Sequence, residues 1–203
     1  VAEIKFPQQA LNTILGESAR RAGDYPLLNA ITVGGNLVAL RNWSDLPVTS
    51  LVLKADLEFQ GKAHRVLSTK DFFSQRPQDV IKRDEILTEI SIPIPPETAR
   101  GKFIKFTLTE NDYSLLNLAV YIDEENNICK DARIAVSAIT RLPQRLDIVE
   151  EFLKGKELSK GTIQEAVKQA INSVELIKSI RASIEYRREI FGIYLRRTLQ
   201  GQV

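Results

Sequence analysis

Two consecutive prolines, Pro95 and Pro96, constrain this chain more than any other feature. Proline has no backbone N–H to give to a ladder, so a pair of them ends the strand that precedes it and is excluded from a sheet interior. Just before the pair, Ile86, Thr88, Ile90, Ile92 and Ile94 recur at every second position, the period of a strand. The prolines therefore divide the 203 residues into two units, 1–97 and 98–203. In the first, the stretch 54–60 places Ala55, Leu57 and Phe59 on one face and Asp56, Glu58 and Gln60 on the other, a half-buried strand. Gly61-Lys62 turns it into a second strand over 63–67. Ser68, with Asp71 three residues on, opens a short helical turn. Upstream, Leu11, Ile14 and Leu15 have helical spacing within 7–21, and Ala10 and Ala19 add helix propensity; the expectation is a surface helix.

The second unit reads as strands over 103–108, 114–122 and 133–139, with a turn at 124–127 between the last two. Helices follow at 147–153, at 163–171 with Thr162 and Glu165 as its capping box, and at 184–199. Strands followed by helices indicate an α+β fold: a mixed first unit, then a three-stranded antiparallel sheet covered by a helical layer.

Composition limits the chemistry. Hydrophobic residues make up 43%, enough for one substantial core or two modest ones, and the charged 27% nearly cancels to +2, so no basic face argues for nucleic acid. No apolar run approaches the length of a membrane span and the first residues lack the apolar centre of a signal peptide; a cytoplasmic location is the expectation. One cysteine, Cys129, and one histidine, His64, supply neither an internal disulfide nor the ligands of a structural zinc or iron–sulfur site. They also leave no Ser/His/Asp or Cys/His constellation for nucleophilic catalysis.

The stretch with the most specific chemistry is Thr32-Val33-Gly34-Gly35-Asn36-Leu37, followed by Ser44-Asp45-Leu46-Pro47. Two adjacent glycines remove both Cβ atoms and permit positive φ, so successive N–H groups can converge on an anion such as a phosphate. The plainer reading is a turn between elements with Asn36 in a left-handed conformation. The wording fits neither the three-glycine dinucleotide fingerprint nor the phosphate loop that ends in Gly-Lys-Ser/Thr.

In its wider setting this stretch resembles the flavin-binding subunit of molybdenum hydroxylases, the group of carbon monoxide dehydrogenase and xanthine dehydrogenase. Three further segments agree in order and approximate spacing: Asp84-Glu85-Ile86-Leu87-Thr88-Glu89-Ile90-Ser91-Ile92-Pro93; Asn111-Asp112-Tyr113-Ser114; and 180–188 followed by Leu195-Arg196-Arg197. The resemblance implies FAD as cofactor. It implies that Thr32, Gly34, Gly35 and Asn36 meet the pyrophosphate and ribityl chain, and that Asp45 contacts the flavin unless it serves as a cap. Leu87 would pack on the flavin ring, or equally in the core. Lys105 and Asp112 would approach the isoalloxazine, a lone strand lysine being otherwise solvated, with Phe103 as an aromatic wall. Arg41 and Trp43 stand where relatives carry small residues and could face phosphate and an aromatic ring.

The resemblance further implies an electron-transfer role inside a hetero-oligomer. A small subunit with 2Fe-2S clusters and a large molybdopterin subunit would be the partners, and NAD or another acceptor would receive the electrons. A non-catalytic scaffold of the same fold that binds no flavin is the alternative. There is no methionine, and nothing ahead of Thr32 resembles the earlier glycine-rich loop of such subunits, so the expectation is a chain without its N-terminal flavin-binding subdomain.

Overall fold

A computed structural model describes residues 9–109 and 112–202. A helical segment comes first, made of α1 (Gln9–Leu11), a π-helical turn (Asn12–Gly16) and α2 (Glu17–Arg20). Short helices α3 (Tyr25–Leu28), α4 (Val33–Val38) and α5 (Leu46–Val52) follow. Strands β1 (Asp56–Gln60) and β2 (His64–Ser68) form a hairpin, helices α6 (Thr69–Phe72) and α7 (Pro77–Val80) come next, and β3 (Ile86–Ser91) returns to pair with β1. This sheet has the order β2-β1-β3 and is antiparallel.

The second sheet contains β4 (Ala99–Phe106), β5 (Leu116–Glu125), β6 (Ile128–Ser137) and the two-residue edge strand β7 (Gln144–Arg145), in that order. Helices α8 (Asp147–Leu153), α9 (Lys160–Ser173) and α10 (Ile184–Leu199) complete the chain. The fold is α+β with two antiparallel sheets, and α8 and α10 fall on the residues that their periodicity indicates. Helix α9 begins earlier than its expected capping box, because the Ser159 hydroxyl, not that of Thr162, accepts the N–H of its first turn, from Thr162 at 3.2 Å. Asn126 and Asn127 both take positive φ, 52° and 63°, and so make the tight two-residue connection between β5 and β6.

Every residue from 116 to 122 is buried, so β5 is covered on both faces. On one, Ile104, Leu118, Val120, Ile122, Ile134 and Val136 pack against α8, α9 and α10. On the other, Ala99, Phe103, Ala119, Tyr121 and Ala135 join Ala10, Ile14, Leu51, Leu57, Phe59 and Phe72 in a second core. The two sheets are separate, and the linker 92–98 joins them, yet the first unit rests its core on the second unit's sheet. The expected surface helix is corrected here: Ala10, Leu11, Ile14, Ser18 and Ala19 are buried, since the segment lies across β4. Gly101 makes that approach possible, because a Cβ at this position would overlap the Val120 carbonyl and the Ile14 side chain.

Strand β3 departs from its pattern as well. Its pairing with β1 slips between Glu58 and Phe59, so Leu57 faces Ile90 while Phe59 faces Leu87. The extra residue turns Leu87 and Ile90 to the core and leaves Ile86 70% exposed.

Two buried charges fix the helical layer. Glu150 of α8 accepts the Ile134 N–H at 2.8 Å, beside the short β7, and pairs with Arg145. Arg187 of α10, 2% exposed, donates to the carbonyls of Ile177 and Ala138 and thereby anchors the segment ahead of its own helix. Gly101→Ala should lower the melting temperature by several degrees, since crowding a packed interface costs about 1–3 kcal/mol. Gly161→Ala, in the first turn of α9 where a Cβ meets nothing closer than Ser159 Oγ at 3.9 Å, should leave it unchanged or raise it. Thermal melts of the two variants check the contrast.

Candidate functional site

The glycine pair lies in the first turn of α4 and not in a left-handed turn. Thr32 is the N-cap, and its hydroxyl accepts the Gly35 N–H at 3.0 Å. A Cβ on Gly35 would stand 2.8 Å from that hydroxyl, so the cap itself calls for glycine here. At Gly34 a Cβ would meet only Leu87 Cδ2, at 3.7 Å, which places the Leu87 side chain beside the glycine backbone. The N–H groups of Val33 and Gly34, at the start of a helix, have no intrahelical acceptor. Among the described residues positive φ at glycine occurs only at Gly155 and Gly201, so the expected conformational role of Gly34 and Gly35 is replaced by close approach.

Asn36, not Asp45, makes the side-chain cap at the start of α5. The Asn36 Oδ1 reaches across to accept the Leu46 N–H at 3.2 Å, at the start of α5, where Asp45 is the N-cap residue but makes no side-chain cap. Asp45 is thereby released to point elsewhere. It is 2% exposed; its Oδ2 accepts from Lys105 Nζ at 3.0 Å, and its Oδ1 is buried without a hydrogen-bond partner. Burial pushes the carboxyl up to about 6, against the opposing pull of Lys105, of Arg21 and of the neighbouring Asn117 amide. Lys105 also donates to the Arg21 carbonyl at 2.7 Å, and Arg21 returns a bond to the Lys105 carbonyl at 3.0 Å. Lysine at this point of β4 is therefore an ion-paired, partly buried group, not a solvated one.

Next to Lys105 in the sheet stands Asn117, fully buried, whose Nδ2 donates to the carbonyls of Ser44 and Trp43 at 3.0 and 3.2 Å. Its Oδ1 is unpartnered, as are the buried hydroxyls of Ser114 and of Ser137, its neighbour across the ladder on β6. The Trp43 ring packs on Tyr113 with centroids 4.3 Å apart. Asp112 accepts the Tyr113 N–H at 2.7 Å and pairs with Arg181, which also donates to the Tyr113 carbonyl at 2.7 Å. Asn111 lies outside the described residues.

Seven of the eight expected residues are thus linked by direct contacts or adjacency: Thr32 to Gly35, Gly34 to Leu87, Asn36 to the start of α5, Asp45 to Lys105. Asp112 joins through Tyr113 and Trp43. Phe103 does not: it is 1% exposed, inside the core. The aromatic pair near Asp112 is Trp43 and Tyr113, and Arg41 is exposed. Asn117, Arg21 and Arg181 were not legible as site residues; a lone asparagine inside the apolar run 115–120 is the signal that points to the first. Among the described residues no three His, Cys, Asp or Glu side chains are grouped to hold a metal ion, and no helix is long and apolar enough to cross a membrane.

Residues 2–95 match the family described as the FAD binding domain in molybdopterin dehydrogenase, and residues 102–201 match the CO dehydrogenase flavoprotein C-terminal domain. The chain is 28% identical over 187 residues to the nicotine 6-hydroxylase medium subunit of Paenarthrobacter nicotinovorans, covering 92% of this chain and 65% of that protein. Against the carbon monoxide dehydrogenase medium chain of Afipia carboxidovorans it is 26% identical over 188 residues, covering 92% and 65%. The solved structure of reconstituted CO dehydrogenase from Oligotropha carboxidovorans superposes with a TM-score of 0.87 at 25% identity, over 94% of this chain and 68% of that one. The chain spans about two thirds of the length of these relatives: 65% of the two curated proteins and 68% of the solved chain. With the two matched domains standing in this order along it, the chain belongs to the FAD-binding medium subunits of the molybdenum hydroxylase family.

Proposed function

We propose that this chain serves in the FAD-carrying, electron-transferring subunit of a molybdenum hydroxylase, with residues 1–97 as the flavin-binding part and 98–203 as the flavoprotein C-terminal domain. The observation that carries the reading is Asp45: a buried carboxylate with one oxygen held by Lys105 and the other without a hydrogen-bond partner, at the start of α5, which Asn36 ties to the glycine-bearing α4. A buried acceptor left without a donor costs about 1–3 kcal/mol, and a ligand hydroxyl or ring N–H would satisfy it. These residues fit a flavin nucleotide. The Gly34 and Gly35 backbone admits the polar chain and pyrophosphate closely, Asn36 holds α4 against α5, and Leu87 offers apolar contact. Lys105 supplies positive charge, while Trp43, Tyr113 and the Asp112–Arg181 pair limit water. FAD bound there supplies two-electron transfer chemistry.

Electrons would come from iron–sulfur clusters on a small partner subunit, after substrate oxidation on a molybdopterin subunit, and leave to NAD or another acceptor in a cytoplasmic hetero-oligomer. The names of the relatives, a nicotine hydroxylase and a carbon monoxide dehydrogenase, support that assignment. The direct test is the visible spectrum of the assembly purified with its partners: FAD should be present in proportion to this chain and be bleached by substrate. A complete assembly that carries no flavin would favour the scaffold role.

Two variants examine the site. Gly34→Ala should keep the melting temperature of the parent, since its Cβ meets only an ordinary contact, and should weaken FAD binding about tenfold by standing between backbone and ligand. Ionised Asp45 is a stronger acceptor for a ligand N–H or O–H than its protonated form, so FAD affinity should rise as pH increases through about 6 and level off above it. Asp45→Asn should bind more weakly and lose that dependence. Fluorescence titrations with FAD between pH 5 and about 8 measure both, and an unchanged pH profile in Asp45→Asn would count against the assigned contact.

A further inference from the structure

Asn117 is the buried polar side chain that the reading above leaves without a task. It stands in β5 where the flanking residues Leu115, Leu116, Leu118 and Ala119 are apolar and buried, and burying an amide there is costly unless it is bonded. Its two donors go to two successive carbonyls, Trp43 and Ser44, directly ahead of Asp45. This settles the orientation of the amide, since the opposite one would set its oxygen against two carbonyl oxygens. The clamp therefore acts on a turn whose members are the aromatic Trp43, exposed and seated on Tyr113, and the acid Asp45. Other bonds along this turn are local: Ser44 N–H to the Arg41 carbonyl, and Ser44 Oγ accepting from Arg41 N–H. They shape it without tying it to the sheet. Lys105 reaches the turn from the next strand but grips only the Asp45 side chain.

We propose that Asn117 is a positioning residue of the flavin site: by holding the Trp43 and Ser44 carbonyls on the sheet, it sets where the Trp43 ring and the free oxygen of Asp45 stand. The inference rests on the functional reading above for the word flavin, but not for the clamp. Without the amide, the turn keeps its shape and loses this anchor on β5, so the ring separates from Tyr113 and the free Oδ1 of Asp45 can turn about the bond that Lys105 keeps to Oδ2.

Trp43 is the single tryptophan of the chain, so its emission reads the turn whether or not a flavin is bound. In the full chain by itself, Asn117→Ala should shift that emission to longer wavelength, and in the assembly with its partners it should weaken FAD binding about tenfold, the scale of one buried hydrogen-bonded contact. Gly101→Ala, which crowds the same sheet at the other end of β4, is the destabilised control and should retain the emission and affinity of the parent. If Asn117→Ala melts lower yet keeps both, Asn117 is only a core group and the proposal is wrong. Should Asn117→Ala fail to fold, Asn117→Ser, which keeps one donor, takes its place under the same two readouts, and its failure to fold as well would assign Asn117 a purely structural role. A parent assembly without FAD would sink the functional reading alone; the emission of the variant would still decide the clamp.

Discussion

The structure depends on the double burial of the sheet β4-β5-β6. A strand dry on both sides gains burial from every residue, roughly 1.5–3 kcal/mol for each large apolar side chain, and must satisfy its few polar groups internally. One face of β5 packs on α8, α9 and α10; the other receives the π-interrupted helical segment and α5. Nearly everything else follows from that demand. Gly101 is needed so that Ile14 can reach the sheet, and Glu150 is needed because β7 is too short to take the Ile134 N–H.

At the end of the second face, the apolar surface gives way to polar groups. Lys105 and Asn117 pair directly across β4 and β5, and Asn117 with Ser137 across β5 and β6. Asp45 and the turn before it come down on this row from the first unit. The site is thus a junction in which one sequence unit contributes the glycine helix and the acid, while the other contributes the cation and the amide that hold them. Arg181, from the segment ahead of α10, adds a third piece by gripping Asp112 and Tyr113.

Sequence periodicity made the regular parts legible. The alternation over 55–60 and the apolar spacing of 147–153 and 184–199 mark elements whose environment is one dry face and one wet face. It failed where small residues make the buried face or a bulge rotates the chain. The first helical segment buries a face of small residues, Ala10, Ser18 and Ala19, beside Ile14, which apolar spacing does not signal, and the bulge opposite Glu58 and Phe59 hands the core to Leu87 in place of Ile86. The sequence offers the glycines as a backbone that closes on an anion or as a plain turn between elements, whereas the crowding of Thr32 Oγ1 against position 35 calls for Gly35 within a helix. Asp45, Lys105 and the neighbourhood of Asp112 were legible through family resemblance. The bonds of Asn117 to Trp43 and Ser44 were not, because 73 or 74 residues separate the partners and nothing local encodes their meeting.

The Asp45–Lys105 bridge has a thermodynamic consequence. It joins α5 to β4, so it belongs at once to the proposed flavin site and to the seam along which the first unit rests on the sheet. Partial opening of the molecule along this seam would uncover Phe103 and Tyr121 but leave the packing of α8, α9 and α10 intact. Such opening and ligand release then draw on one free energy, and a ligand at Asp45 resists the opening by RT ln(1 + [L]/Kd). Occupancy of the site would be felt as slowed amide exchange in α1, α2 and α5, at a distance from the ligand and without any change of shape.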